Sequence, residues 1–209
     1  MSHFLFPKYR LFPNFLEQAE HQRLLDDVLS TSGEFEPAPV YRDEMQVILE
    51  EQRTASRRDG GLRENKKMFA DRVSSVLDLM FDGTGIRQQP VVKLETELVA
   101  NGDGGKFGRH VDTLTGQSRA EQTSRSSRAV SAVYYFFNEP KIFEGGELRL
   151  YPFGSGSTTN EYIDISPSQN TLVAFPSFAS HEVLPVVCAS KRFLDYRFSV
   201  NCWLHCSLD

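Results

Sequence analysis

The sequence predicts an α+β fold in which two amphipathic helices precede a β-sandwich or jelly roll. The helices are read from apolar residues at three-and-four spacing, and the sheets from short apolar runs separated by Gly, Pro, Ser and Asn turns. In the first helix, residues 13–30, Leu16, Leu24, Leu25, Val28 and Leu29 fall on one side. The second, residues 65–82, carries Met68, Phe69, Val73, Val76, Leu77, Met80 and Phe81 in a stripe that Gly83-Thr84-Gly85 ends. A stripe of that width is what a surface helix must bury, so both are read as braces on a sheet rather than partner-binding surfaces. Residues 34–61 hold Pro37, Pro39 and the charged run Glu50-Glu51-Gln52-Arg53, and no period assigns them. Strands are expected at 91–99, 130–138, 147–151, 162–165, 171–175, 181–187 and 197–203. The expected organisation is one domain over 1–209, with 1–90 as a helical support region and 91–209 as the strand-rich core.

Composition sets bounds. With 209 residues, 40% hydrophobic and 24% charged, the chain can bury a sizeable core. A formal net charge of -5 supplies no field to hold a polyanion, which argues against nucleic acid and anionic membranes as partners. Cys188, Cys202 and Cys206 are odd in number and lack paired metal-ligand spacing, so no disulfide framework is expected. The first ten residues show no basic leader before an apolar run, and no stretch is long enough to span a bilayer. A reducing cytoplasm is the expected location.

The residues that carry chemistry are His110 and Asp112, in His110-Val111-Asp112, and the distant His181. Two imidazoles and one carboxylate occupy one face of an octahedral Fe(II) and leave the opposite positions open for substrate and dioxygen. A His-x-Asp pair alone is weak, because residues i and i+2 of any strand point the same way. What sharpens it is Arg197-Phe198-Ser199-Val200-Asn201-Cys202-Trp203. Alternation there places Arg197, Ser199, Asn201 and Trp203 on one face, so an arginine enters the cavity of the metal ligands. An inward guanidinium requires an anion, and a dicarboxylate that chelates iron at one end and meets Arg197 at the other fills that need. 2-Oxoglutarate has that shape. His3, His21 and His205 have no comparable carboxylate neighbour and are not read as ligands.

On these segments, together with Glu144-Gly145-Gly146-Glu147-Leu148-Arg149-Leu150-Tyr151, the chain resembles the prolyl-4-hydroxylase-like branch of the Fe(II)/2-oxoglutarate-dependent dioxygenases. The resemblance spans about residues 91–204. It implies a double-stranded β-helix, the cupin-like jelly roll, with Fe(II), 2-oxoglutarate and O2 as requirements and ascorbate as a supporting reductant. It assigns iron to His110, Asp112 and His181 and the co-substrate's far carboxylate to Arg197, with Asn201 as a second polar contact. The spacing of many relatives would nominate Lys191 or Arg192 instead. Arg197 is preferred because the strand through Trp203 aligns only if Arg197 opens it, leaving 188–195 as an inserted loop. Relatives often carry a tyrosine before the His-x-Asp motif, where Ala100-Asn101-Gly102 stands here, and another at the position of Phe136. Tyr134 is the expected substitute.

The implied activity is hydroxylation with release of succinate and CO2, since Asp112 stands where related halogenases have a small residue. The substrate is expected to be an amino-acid side chain, free, peptidyl or in a protein, with proline first. The alternatives are a biosynthetic hydroxylase acting on a small molecule and a non-catalytic metal and 2-oxoglutarate sensor. Residues 113–128 leave the metal rim directly after Asp112 and read either as a flap over substrate or as a solvated connection. Residues 152–161 read as a simple connection. Gly145-Gly146 lacks the helix and basic residue of a phosphate cradle.

Overall fold

The computed structural model describes residues 5–42, 45–113, 126–154 and 160–207. A short strand, β1 (Arg10–Pro13), precedes helix α1 (Gln18–Ser30). The helix therefore starts later than its apolar stripe suggested. Asn14 turns the chain in the left-handed region at φ 52, and Glu17 and Glu20 form a reciprocal capping box that sets the first turn. The expected helix 65–82 is two helices, α2 (Asn65–Ser74) and α3 (Leu77–Thr84). Between them the Ser75 hydroxyl donates to the Arg72 carbonyl and Val76 leaves helical geometry, a local bond that competes with the helix ladder. Gly85, at φ 71, closes α3.

The stretch that no period assigned forms β2 (Phe35–Pro37), β3 (Val40–Arg42), β4 (Met45–Val47), β5 (Arg53–Thr54) and β6 (Ser56–Arg58). The remaining strands are β7 (Val91–Asn101), β8 (Lys106–His110), β9 (Ser126–Phe136), β10 (Glu144–Gly145), β11 (Leu148–Leu150), β12 (Ile163–Ile165), β13 (Thr171–Pro176), β14 (His181–Val183), β15 (Val186–Val187) and β16 (Arg197–Ser207). They build a seven-stranded sheet, β1-β13-β9-β16-β7-β6-β2, and a five-stranded sheet, β12-β11-β14-β8-β5. Facing antiparallel sheets with these crossovers are a jelly roll, as expected. The division at residue 90 needs correction: β1, β2 and β6 join the large sheet and β5 the small one, so the first ninety residues complete both sheets as well as bracing them. Strands of two or three residues are too short to show an alternating period.

Alternation separates two interiors. Leu98, Ala100, Val130, Ala132, Tyr134, Phe136, Phe198 and Val200 pack on the helical side with Leu24, Phe69 and Met80. Tyr135, Val173 and Phe175 face the small sheet and meet Leu148, Leu150 and Ile165. Of the two loops singled out from the sequence, 114–125 and 155–159 lie outside the described residues. Among the described residues no helix is long and apolar enough to cross a membrane.

Candidate metal centre and co-substrate pocket

His110 ends β8, Asp112 follows it, and His181 opens β14, the strand paired with β8 so that His181 stands opposite His110. The side chains expected to act together are thus brought together: one ligand atom from each lies within 4.8 Å of the others. His110 Nδ1 is 2.8 Å from the Gly108 carbonyl and His181 Nδ1 is 2.9 Å from the Ala179 carbonyl. Each ring then donates through Nδ1 and presents a bare Nε2 toward Asp112, at 3.4 Å from Oδ1 for His110 and 3.7 Å from Oδ2 for His181. Asp112 is oriented in turn. Its Oδ2 accepts from Ser131 Oγ at 2.6 Å, Ser131 meets Ser177 Oγ at 2.9 Å, and the Asp112 amide donates to the Ser177 carbonyl. Burial opposes the charge on Asp112, but His181, His110 and the Ser131 hydroxyl outweigh it and hold the carboxyl far below its ordinary range. Burial, with His110 beside it, lowers His181 to about 4. An ionised carboxylate beside a neutral His181 suits a divalent metal.

Arg197 opens β16 and is only 2% exposed, yet its Nε and Nη1 find no hydrogen-bond partner among the described residues. The Tyr135 hydroxyl is likewise buried without one. Burial pushes the Tyr135 phenol up to about 12, so it stays a neutral donor. An unanswered buried guanidinium beside an unanswered hydroxyl costs several kcal/mol unless an anion completes the pair. Gly146 leaves the room: a Cβ there would stand 2.8 Å from Arg197 Nε, at a φ of +73 that side chains rarely adopt. Lys191 and Arg192 are exposed and engaged elsewhere, Lys191 with Asp103 at 3.7 Å and Arg192 with Asp195 at 2.8 Å. The orphaned donors, the glycine that makes way for them and the ligand set fit a metal-chelating dicarboxylate.

Tyr134 does not serve as expected. Its hydroxyl lies on the helical side, 2.7 Å from His21 Nδ1 and donating to Asn170 Oδ1 at 3.0 Å. The missed residue is Tyr135, and parity could have found it. Ser131, Val133 and Tyr135 share one face of β9, and Ser131 on that face reaches Asp112. Asn201 shares the cavity face of β16, where its amide donates to Glu97 at 3.2 Å. The wall beyond the ligands was also unforeseen: Arg128 stacks 4.0 Å over Trp203 and pairs with Glu95 at 2.9 Å, and His205 pairs with the same carboxylate at 2.7 Å. An open cleft of about 800 Å³ runs past His110, Asp112, Phe107 and Trp203.

A family model described as the 2OG-Fe(II) oxygenase superfamily matches residues 96–205, more than half of the chain. The chain belongs to that superfamily. Its membership implies Fe(II), 2-oxoglutarate and O2. An uncharacterized PKHD-type hydroxylase of Synechocystis sp. is 29% identical over 213 aligned residues, 97% of this chain and 65% of the relative, so the chain spans just under two thirds of that protein's length. A prolyl hydroxylase of Trichoplax adhaerens, solved with a hypoxia inducible factor oxygen degradation domain peptide fragment, superposes with a TM-score of 0.67 at 22% identity, over 95% of this chain and 83% of its own. A prolyl-4-hydroxylase of Pseudomonas putida gives 0.64 at 22% identity, over 95% and 92%. These structural likenesses establish the jelly-roll fold.

Proposed function

We propose that the protein is an Fe(II)- and 2-oxoglutarate-dependent hydroxylase acting on an amino-acid side chain within a peptide or protein, with a prolyl residue as the first candidate. The observation that carries the reading is the pairing of a two-histidine, one-carboxylate cluster with orphaned buried donors on Arg197 and Tyr135. His110, Asp112 and His181 would hold the metal, and Arg197 with Tyr135 the far carboxylate of the co-substrate. When bound, iron with 2-oxoglutarate and O2 supplies an oxidant strong enough to hydroxylate a C–H bond. The chain's own residues do the rest. Backbone carbonyls fix the imidazole rings, Ser131 aims the Asp112 carboxylate, and Phe175, 4.8 Å from the His181 ring, keeps water from the inner side.

The peptide reading is supported by an open cleft of about 800 Å³, bordered by Trp203 and Phe107, and by the peptide bound to the structural neighbour from Trichoplax adhaerens. We read residues 1–209 as one catalytic domain, because strands from both halves of the chain complete both sheets. The test is mass spectrometry of peptide libraries for a gain of one oxygen, coupled to succinate release. His110→Ala, Asp112→Ala and His181→Ala should each abolish succinate formation. Near-parental turnover by any one of them overturns the reading, and oxidation of small molecules only would move the substrate assignment.

A further inference from the structure

On one side of the metal ligands the two sheets of the jelly roll are joined by apolar side chains, Leu148 and Leu150 of β11 with Val173 and Phe175 of β13. On the other side, beside His110, a charge pair spans them. Arg53 on β5 of the small sheet sends Nη2 to Glu97 Oε2 at 2.7 Å and Nη1 to Oε1 at 3.4 Å, and Glu97 stands on β7 of the large sheet. Both side chains are largely withdrawn from water, at 8% and 17% exposure. A bidentate pair at that depth has a defined geometry rather than the loose, screened contact of a surface bridge. Asn201 from β16 donates to the same carboxylate, and the Pro39 carbonyl accepts from Arg53 Nη1, so the guanidinium is held by both Glu97 and the backbone at Pro39.

What Arg53 holds down is Phe107. The two are cross-strand partners on β5 and β8, and the guanidinium lies 5.0 Å from the centre of the Phe107 ring. Phe107 in turn stacks on the His110 ring at 3.8 Å and 21°. The hydrogen bond from His110 Nδ1 to Gly108 fixes one edge of the imidazole, but a single bond leaves rotation about its own axis; a flat neighbour clamped from behind removes it.

We infer that Arg53 and Glu97 are positioning residues for the metal centre, acting on His110 through Phe107 and setting the separation of the two sheets at the cleft. The inference rests on the reading of His110 as a metal ligand. Its test uses Mn(II), a redox-silent stand-in for Fe(II), titrated into the metal-free protein and followed by the loss of its free-ion resonance signal. Arg53→Met and Phe107→Leu should each weaken Mn(II) binding about tenfold, as loss of an orienting partner of a metal ligand does. The double variant should be no weaker than either single one, because both act along one path. Glu97→Gln, which keeps the shape and removes the charge, should give an intermediate loss and guards against an unfolded Arg53 variant. Parental affinity in Arg53→Met, or additive losses in the double variant, overturns the inference while leaving the ligand assignment intact. Absence of any Mn(II) site that His110→Ala removes overturns both.

Discussion

Tyr134 and Tyr135 are neighbours in sequence and lie on opposite faces of β9, one bonded to His21 and Asn170, the other unanswered beside Arg197. Their hydroxyls therefore have separable roles. Tyr135→Phe is expected to weaken 2-oxoglutarate binding by about fivefold, the worth of roughly 1 kcal/mol for one hydrogen bond, with little change in stability. Tyr134→Phe should leave the co-substrate untouched and cost about 1 kcal/mol of folding free energy. Isothermal titration with 2-oxoglutarate, paired with urea unfolding, separates the two, and an inverted pattern would put the anchor back on Tyr134. Arg197→Ala should weaken the co-substrate by about 2–5 kcal/mol, far beyond Lys191→Ala or Arg192→Ala, whose side chains are 72% and 63% exposed in surface pairs. Gly146→Ala should resemble Arg197→Ala, since its methyl group would occupy the space of the guanidinium. The clustering of His110, Asp112 and His181 and the inward turn of Arg197 were legible in the sequence because a His-x-Asp pair and strand alternation are local patterns. Tyr135 was not, because choosing between adjacent tyrosines requires knowing which face of β9 meets the helices.

Elements show the same division between local and distant causes. The helices were readable from their stripes, and the structure buries Leu24, Leu25 and Val28 of α1 and Phe69 and Val73 of α2 as those stripes require. The break at Ser75 and Val76 was not readable, since Val76 continues the apolar stripe and only its backbone departs from it. β5 and β6 were invisible for another reason. Arg53 and Thr54 pair with Phe107 and Lys106, and Ser56 and Arg57 with Ala100 and Val99, partners more than forty positions away. Packing of the helices on the large sheet should dominate stability. Phe69 is fully buried, its ring centre 5.8 Å from that of Phe15 and 5.7 Å from that of Tyr134, so Phe69→Ala is expected to cost about 3–5 kcal/mol. Leu79 on α3 is 44% exposed, and Leu79→Ala should cost well under about 1 kcal/mol. Urea denaturation of the two variants checks the contrast, and comparable losses would mean the helical face is not the main core.

At the scale of the whole molecule, the metal centre and the fold are coupled through protons. His181 is held neutral by burial, its folded value lowered to about 4 from 6.5, and burial lowers His21 behind the sheet as well. A histidine whose folded value lies below its unfolded one binds more protons when unfolded. Its contribution to stability is therefore complete above about 6.5 and is lost as pH falls from there toward the folded value. Asp112 works lower: its carboxyl is depressed in the fold, so its contribution disappears only below its ordinary value of 3.8. The interval between about 6.5 and 4 thus belongs to the histidines. In the metal-free protein, unfolding free energy should fall across that interval by roughly 3 kcal/mol on account of His181, at 1.36 kcal/mol for each unit of its displacement. His181→Asn should flatten most of the slope, and His21→Asn a smaller part, because that ring is only half-buried. Saturating metal should raise stability at neutral pH, since it binds the folded state, and should steepen the acid loss because protons then compete with the metal for the same nitrogen atoms. Urea titrations at a series of pH values, with and without Mn(II), read all of this at once. A metal-free slope that survives in His181→Asn would show that the acid sensitivity arises elsewhere in the fold.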